Sequence, residues 1–392
     1  MADRDFLFWP FLEARHRDWA KEVEAWAAAN AARLSEGGTD DAVRNLTRAM
    51  GEAGLLRMAV PENGRLDVRS LCIARETLAR HSGLADFAFA MAGLGTGSVT
   101  LFGDPALRQA WLPAARTGTS LAAFALSEPE AGSDVAALST SAVRESDGHW
   151  RIDGSKTWIS NGGIAATYAV FARTGEAPGA KGLTAFLVPA GTPGLAIAER
   201  IEVSAPHPLA TLRFEGVRVP DAHRLGAPGD GFKVAMATLD VFRATVGAAA
   251  LGFARHALDL TVARASGRQL FGGPLFDQQM TQAAIAESAV DVETSALLVY
   301  RAAWLKDSGA PRVSREASMA KLHATEAAQR VADRCVQIHG GHGVVRDHPA
   351  EKLYREVRAL RVYEGASEVQ RIIIARAERA RAEEAARCKP TP

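Results

Sequence analysis

The spacing of hydrophobic and polar positions changes character twice along the chain. Up to about residue 120 it predicts mostly helices. Residues 11–34 form one candidate that stops before Gly37-Gly38, and residues 68–81 (VRSLCIARETLARH) form another. A short helix over 106–115 opens at Asp104-Pro105, and Pro113 is expected to break it. From roughly 121 to 228 short apolar runs take over, at 121–126, 149–153, 167–173, 183–189 and 211–220. Gly154, Gly162-Gly163, Gly179 and Pro193-Gly194 punctuate them. This rhythm predicts an antiparallel barrel or sandwich. Beyond residue 229 the helical period returns in long stretches, at 232–265, 275–307, 314–338 and 367–387. In the second of these, Val290, Leu297, Leu298, Trp304 and Leu305 recur near heptad spacing, as a bundle core requires. In the third, Val331, Cys335 and Ile338 share a face, which makes Cys335 a core residue. The last stretch (ARAERARAEEAARC) is charged and expected to be solvated, and the CKPTP tail is expected to fray.

The fold class is therefore α+β in three domains. An all-α domain spans 1–120, a middle antiparallel β-barrel or sandwich 121–228, and a C-terminal four-helix bundle 229–392. The order α, β, α disfavours a Rossmann enzyme, whose strands and helices alternate. A length of 392 residues exceeds one ordinary core, in agreement. Forty-six basic residues against 45 acidic ones give a net charge of +1, so the whole chain offers no electrostatic reason to bind nucleic acid or an anionic membrane. Three scattered cysteines (Cys72, Cys335, Cys388) suit a reducing cytoplasm. The N-terminus lacks an apolar signal core, and no run reads as a membrane span. P-loop, HExxH, CxxC, GxSxG and strand-linked GxGxxG motifs are absent. His339 and His342 lie in HGGHG without an evident third ligand, so no metal is expected.

Four segments carry unusual local chemistry. Phe124-Ala-Leu-Ser-Glu-Pro-Glu-Ala-Gly-Ser-Asp134 runs from a strand into a Pro/Gly/Ser turn and an Asp-capped short helix. Its backbone N–H groups and the Ser127 and Ser133 hydroxyls could hold phosphate or a flavin edge, or it is an ordinary corner. Lys156-Thr-Trp-Ile-Ser-Asn-Gly-Gly163 offers either an aromatic face beside a donor or a hairpin with a core Trp158. In Gly267-Arg-Gln-Leu-Phe-Gly-Gly273, Arg268 could clamp a pyrophosphate and Phe271 pack an adenine, or the stretch is a helix cap and linker. Finally, Gln337-Ile-His-Gly-Gly-His-Gly343 is followed by Tyr363-Glu-Gly-Ala-Ser367, where Glu364 sits in a break between helices. It points into a cleft or caps a helix at the surface.

Together, in this order and spacing over nearly the whole chain, the four segments resemble the acyl-CoA dehydrogenase flavoprotein family. The resemblance implies FAD, with Phe124, Leu126, Ser127, Gly132 and Ser133 lining the flavin and phosphates. Trp158 and Ile159 then lie beside the ring and Ser160 donates near N5. Arg268, Gln269 and Leu270, with Gln279, match the segment that grips the ADP half across a subunit boundary, Phe271 being the cofactor-binding neighbour, and Gln337 to Gly341, with Gly340, match a partner-subunit loop on the same dinucleotide. Ala366, Ser367 and Glu368 match further FAD contacts. Substrate contacts fall on Ser133, Asp240, Arg243 and Gly365. Glu364 matches the catalytic base. Some members place that base on the first long helix of the third domain, where this chain has Phe242. Arg243 reads as an orienting group or as a structural ion pair.

The implied reaction is α,β-dehydrogenation of an acyl-CoA thioester to the trans-2-enoyl-CoA, as in fatty acid β-oxidation. Glu364 takes the α-proton, flavin N5 accepts the β-hydride, and electrons pass to an electron-transfer flavoprotein. A homotetramer, built as a dimer of dimers, is the expected assembly. The alternatives are an acyl-CoA oxidase or carrier-protein-bound acyl dehydrogenase of the same fold, and a non-catalytic binding relative. Chain length, branching or ring nature of the acyl group stay open. The sequence departs from the family at Asn63-Gly64-Arg65, which shortens a loop after Pro61-Glu62, and at Ala366, where a Thr is usual. His207 lies in Ser204-Ala-Pro-His-Pro208, read as a rigid turn.

Overall fold

A computed structural model describes residues 4–387, so Cys388 and the tail with it lie outside the described residues. Five helices come first: α1 (Ala14–Leu34), α2 (Thr39–Glu52), α3 (Val68–His81), α4 (Gly83–Phe102) and α5 (Pro105–Arg116). Eight strands follow: β1 (Ala122–Ala125), β2 (Ser141–Arg144), β3 (His149–Ser160), β4 (Thr167–Arg173), β5 (Leu183–Pro189), β6 (Leu195–Ile201), β7 (Leu209–Pro220) and β8 (Arg224–Leu225). The chain continues through α6 (Gly231–Gly267), a two-rung ribbon β9 (Gln269–Leu270) and β10 (Gly273–Pro274), α7 (Gln279–Asp307), α8 (Ser314–His339), α9 (Pro349–Leu360) and α10 (Ser367–Arg387).

Local chemistry explains several boundaries. The Ser82 and Asp104 side chains accept from Ala85 N at 3.2 Å and Leu107 N at 2.8 Å, which opens α4 and α5. Pro349 at the first turn of α9 has no N–H to waste, and the His348 ring accepts from Ala350 N at 3.2 Å. The break expected at Pro113 does not occur. Pro113 lies one turn from the end of α5, where only the bond to the Gln109 carbonyl is lost, and Thr117 N still donates to Pro113 O at 3.0 Å. Asp134 does not cap its short helix through its side chain, and that helix is a three-residue 3₁₀ turn at Val135–Ala137.

Contacts divide the chain into two compact units. One contains Val23–Asp67 and His81–Val241; the other contains, among the described residues, 4–22, Val68–Arg80 and 242–387. In the first unit the eight strands form one sheet in the order β6-β7-β3-β2-β4-β5-β8, with β1 pairing to β4 in parallel. Most other pairings are antiparallel. Trp150, Ile152, Tyr168, Val170, Phe186, Val188, Leu212, Phe214 and Val217 from four strands meet in one core. Side chains from strands far apart in the sheet can share a core only if the sheet curls around them. β4 and β5 are buried on both faces, and α4 covers part of the outer one. Its approach depends on Gly95, where a Cβ would lie 2.6 Å from the Ala122 carbonyl.

The second unit is a helical bundle with α8 packed against α7, α9 and α10. The buried face of α7 is Val292, Ala296, Val299, Tyr300 and Ala303. The heptad reading of α7 holds only in part: Leu298 and Leu305 are half-buried, but Val290 is 66%, Leu297 45% and Trp304 38% exposed. Alanines and serines with Val292, Val299 and Tyr300 make the buried face, while Val290, Leu297 and Trp304 face out. On α8, Val331 and Cys335 are fully buried and Ile338 is partly buried. Asp307, at the end of α7, accepts from Val68 N at 2.8 Å, Arg69 N at 3.0 Å and Arg69 Nε at 2.8 Å, so it caps α3 from another helix. α4 and α6 are each long and apolar enough to cross a membrane by length and composition, but 83% of each apolar window is buried inside the protein. They are core helices here, and their length comes from burial all round.

Candidate functional site

Three patches carry the residues singled out above. The first lies in the β unit. Alternation along β3 puts Trp150, Ile152 and Lys156 inward, and then the register slips between Lys156 and Ile159. Within that bulge Trp158 takes φ +59° and Asn161 takes φ +60° just beyond it. A left-handed backbone at a bulky residue costs energy, and a bulge re-aims a side chain. The result is a Trp158 side chain that is 59% exposed between buried neighbours Thr157 and Ile159. The core-hairpin reading of Trp158 is thus excluded. Ile159 gives its side chain to the core, so only its main chain is available to a ligand. Ser160 is half-buried.

The segment after β1 runs alongside. Phe124 is half-buried with its ring 4.9 Å from Phe171; Leu126 is buried and Ser127 half-buried. Thr157 N donates to Ser127 O at 3.0 Å, tying the two segments together. The stronger tie was not singled out in the sequence. Lys156 is fully buried and its Nζ donates to Leu126 O at 2.9 Å and Glu128 Oε1 at 2.8 Å. Glu128 also accepts from Ser139 N and Oγ, both at 2.7 Å, and from Thr140 N at 3.0 Å. Burial alone would raise the Glu128 pKa, but the Lys156 charge and these donors hold it down at about 2. Burial pushes the Lys156 ammonium down to about 8 against the pull of Glu128. A signal was present: Lys156 occupies an inward position in the β3 alternation, where an ammonium needs a partner. Gly132 and Ser133 lie on the exposed turn that follows, with their polar groups open to a ligand.

The second patch is the connection between α9 and α10 in the bundle. Glu364 takes φ +51° and Gly365 φ +92°. Two consecutive left-handed residues turn the chain sharply and leave Glu364 half-buried ahead of α10. Gln370 Nε2 donates to Glu364 O at 3.3 Å and to Gly365 O at 2.8 Å. Ala366 is half-buried, Glu368 is exposed, and Ser367 is buried with its hydroxyl on Glu326 Oε1 at 2.6 Å. Arg243 is 4% exposed, and its charge is felt at Lys321 in the same bundle. Asp240 is half-buried on α6.

The third patch is a groove of about 710 Å³ in the bundle unit. It brings Arg268 together with Gln337, Gly340 and Gly341, which the sequence paired only through resemblance, and adds Arg264. Gly340 has φ +61°, and a Cβ on either glycine would meet nothing within 4 Å, so backbone is presented to the groove. Arg264 Nε is buried without a hydrogen-bond partner among the described residues. A guanidinium in want of an acceptor, a second one and bare glycine backbone are the groups a dinucleotide pyrophosphate needs, so the groove fits such a cofactor. Phe271 and Gln279 lie outside its lining; Phe271 is 87% exposed at φ +53° in the β9–β10 turn, and Gln279 is exposed at the start of α7. His339 hydrogen-bonds Cys335 O at 2.8 Å and sets its ring 5.0 Å from His348. His207 packs its ring 4.6 Å from Phe87, in keeping with a rigid turn.

Comparison with known proteins agrees with this layout. Three family models match in chain order: the acyl-CoA dehydrogenase N-terminal domain over residues 13–119, the middle domain over 123–217 and the C-terminal domain over 229–378. The chain is 42% identical over 336 residues to the human mitochondrial short-chain specific acyl-CoA dehydrogenase, covering 84% of this chain and 81% of that protein. It is similar to a chain in the structure of the electron-transferring flavoprotein of Acidaminococcus fermentans, at 35% identity and a TM-score of 0.87, covering 93% and 98% of the two chains. It is also similar to a glutaryl-CoA dehydrogenase from Mycobacterium smegmatis solved with FADH2, at 27% identity and a TM-score of 0.85 over 94% and 95%. With the helical, β and helical domains in that order and a groove suited to a dinucleotide, the chain belongs to the acyl-CoA dehydrogenase family and is an FAD-dependent oxidoreductase.

Proposed function

We propose that the protein dehydrogenates a short-chain acyl-CoA to the trans-2-enoyl thioester with Glu364 as base, and that its electrons leave through an electron-transfer flavoprotein. The observation that carries the reading is the backbone at Glu364 and Gly365: a left-handed pair held by side-chain donors, which fixes a carboxylate on a turn instead of letting it sweep the surface. Short-chain preference and the electron acceptor are supported by the relatives, one a short-chain specific dehydrogenase and another from an electron-transferring flavoprotein structure.

An acyl α-proton is weakly acidic, so a carboxylate must meet it in a geometry set in advance. Glu364 takes that proton, and the electron pair of the Cα–H bond moves toward the thioester carbonyl and then into the new Cα=Cβ bond. The backbone N–H of Glu364 is the chain's own candidate donor to the thioester oxygen as negative charge builds there. FAD, when bound, would supply the two-electron acceptor that the β-carbon needs. Trp158 would offer an aromatic face and Ser160 a hydroxyl to a flavin ring, and Arg264, Arg268, Gly340 and Gly341 would offer donors to the phosphates of a dinucleotide. Arg243 orients the carboxylate or the substrate. We also propose self-association through the exposed apolar side chains Phe271, Met280 and Val344, which are 87%, 81% and 70% exposed.

The test is anaerobic mixing of the purified holoprotein with butyryl-CoA, followed by flavin absorbance. Wild type bleaches. Glu364→Gln keeps its FAD and does not bleach; bleaching at the wild-type rate would reject Glu364 as the base.

A further inference from the structure

We propose that Lys321 is a positioning residue for Glu364: from α8 it fixes the turn that carries the carboxylate and brings a positive charge to that turn. The inference rests on the reading of Glu364 as the base.

Lys321 is fully buried, on the face of α8 that also buries Ala317, Ala320 and Ala324. Nothing about packing asks for an ammonium there; a buried charge is costly, and an apolar side chain of similar length would fill the space without that cost. What the ammonium does is specific. Its Nζ donates to the Gly365 carbonyl at 2.8 Å, the same oxygen that Gln370 Nε2 holds at 2.8 Å. Five residues on, Glu326 accepts from Ser367 Oγ at 2.6 Å and pairs with Arg361 Nη2 at 2.8 Å. Two side chains of one helix therefore grip the 361–367 connection at its beginning, middle and end. Ser367 N closes the turn on Arg361 O at 3.1 Å. The left-handed Glu364-Gly365 pair is unfavourable for an isolated chain, and such a conformation persists only when its surroundings over-determine it. Lys321 and Glu326 supply that over-determination.

The electrostatics point the same way. The charges that act on Lys321 come from Glu364 in the turn, Arg243 on α6, Glu326 on α8 itself and Glu368 on α10. Its pKa is lowered to about 8: burial pushes it down most, Glu364 holds it up, Arg243 pushes it down, and Glu326 and Glu368 hold it up. Attraction is mutual, so a cationic Lys321 favours the anionic form of Glu364 by the same interaction. At neutral pH the amine is still protonated, so its charge is present at the turn. Arg243 adds positive charge on the same side, while Glu326 and Glu368 partly offset both.

The experiment compares the pH dependence of the flavin bleaching rate with butyryl-CoA in wild type, Lys321→Met, Lys321→Gln and Lys321→Arg, each as purified holoenzyme with FAD content measured. The rising limb at low pH reports deprotonation of the base. Removing the charge should move its midpoint up by about one pH unit in the Met and Gln variants, and Arg should keep the wild-type midpoint. Gln retains a donor for Gly365 O and covers the case in which Met folds poorly. Amide exchange of the 361–367 segment, followed by mass spectrometry, should speed up about tenfold in Lys321→Met and less in Lys321→Gln. A midpoint unmoved in both neutral variants, whatever the loss of rate or stability, overturns the proposal and leaves Lys321 a structural residue. Failure of the wild-type protein to bleach overturns the dehydrogenase reading instead, so the two failures are distinct.

Discussion

Glu128→Gln tests whether the ion pair under the Leu126–Glu128 segment is what holds that segment in place. The Glu128 and Lys156 side chains are 3% and 0% exposed, and the carboxylate collects one ammonium, one hydroxyl and two backbone N–H groups. Gln keeps the size and removes the charge, leaving Lys156 as a buried ammonium without its counter-charge. The carboxyl pKa falls from 4.5 to about 2 in the fold, and at about 1.36 kcal/mol per unit this is a stabilisation of about 3 kcal/mol. Removing one partner of a buried pair costs about 3–5 kcal/mol, so the two routes agree in magnitude. At about 2–4 °C per kcal/mol for a body of this size, the melting temperature of the β unit should drop by about 6–12 °C at pH 7. The pH dependence follows from the sign of the shift. A depressed carboxyl pKa gives stability that is complete above the unfolded value of 4.5 and lost as pH falls towards about 2. Wild type should therefore lose its advantage over Glu128→Gln across that window. Circular dichroism melts at a series of pH values, for wild type, Glu128→Gln and the double variant Glu128→Leu/Lys156→Met, would show it. The double variant should recover much of the loss, because it leaves neither charge buried alone. Melting within about 1 °C of wild type for Glu128→Gln at pH 7, or a gap that does not narrow in acid, would refute the reasoning.

Gly365→Ala places a Cβ at φ +92° and 2.5 Å from Gln370 Nε2, so the turn must shift; FAD content should hold while the bleaching rate falls at least about tenfold, as stopped-flow absorbance would show. Cys72 and Cys335 are buried, and burial pushes the Cys335 thiol up to about 11, so neither should react with iodoacetamide at pH 8 in the native protein, whereas both should after denaturation; mass spectrometry of the labelled peptides decides it.

How much of this was legible in the sequence depends on the range of the interaction concerned. Changes of period marked the β segment and the long C-terminal helices, because burial of one face writes itself into local spacing. Spacing could not say which of two apolar faces of α7 is inside. Val290, Leu297 and Trp304 satisfy a heptad, yet the bundle closes on Ala296, Val299 and Ala303. The buried face also holds Tyr300, so side-chain size does not separate the two faces; packing against α8 and its neighbours does. Trp158 shows a second limit: its exposure comes from a register slip against β7, and neither residue type nor alternation announces a slip. The two buried lysines are a different case. Lys156 sits in the inward alternation of β3, and Lys321 sits at helical spacing among Ala317, Ala320 and Ala324, so each breaks a local apolar pattern. A charge in such a place must have found a partner in the fold. Those partners, Glu128 and Leu126 O for one and Gly365 O for the other, are 28, 30 and 44 residues away, so sequence could have flagged the conflict but not its resolution. In both units the resolution lies beneath a segment to which the proposed function gives a role, one at Leu126–Glu128 and one at Glu364-Gly365. Stability alone would favour apolar residues at both positions. That the same exception recurs in two places, each time with the ammonium on a main-chain carbonyl, argues that these charges serve to fix backbone.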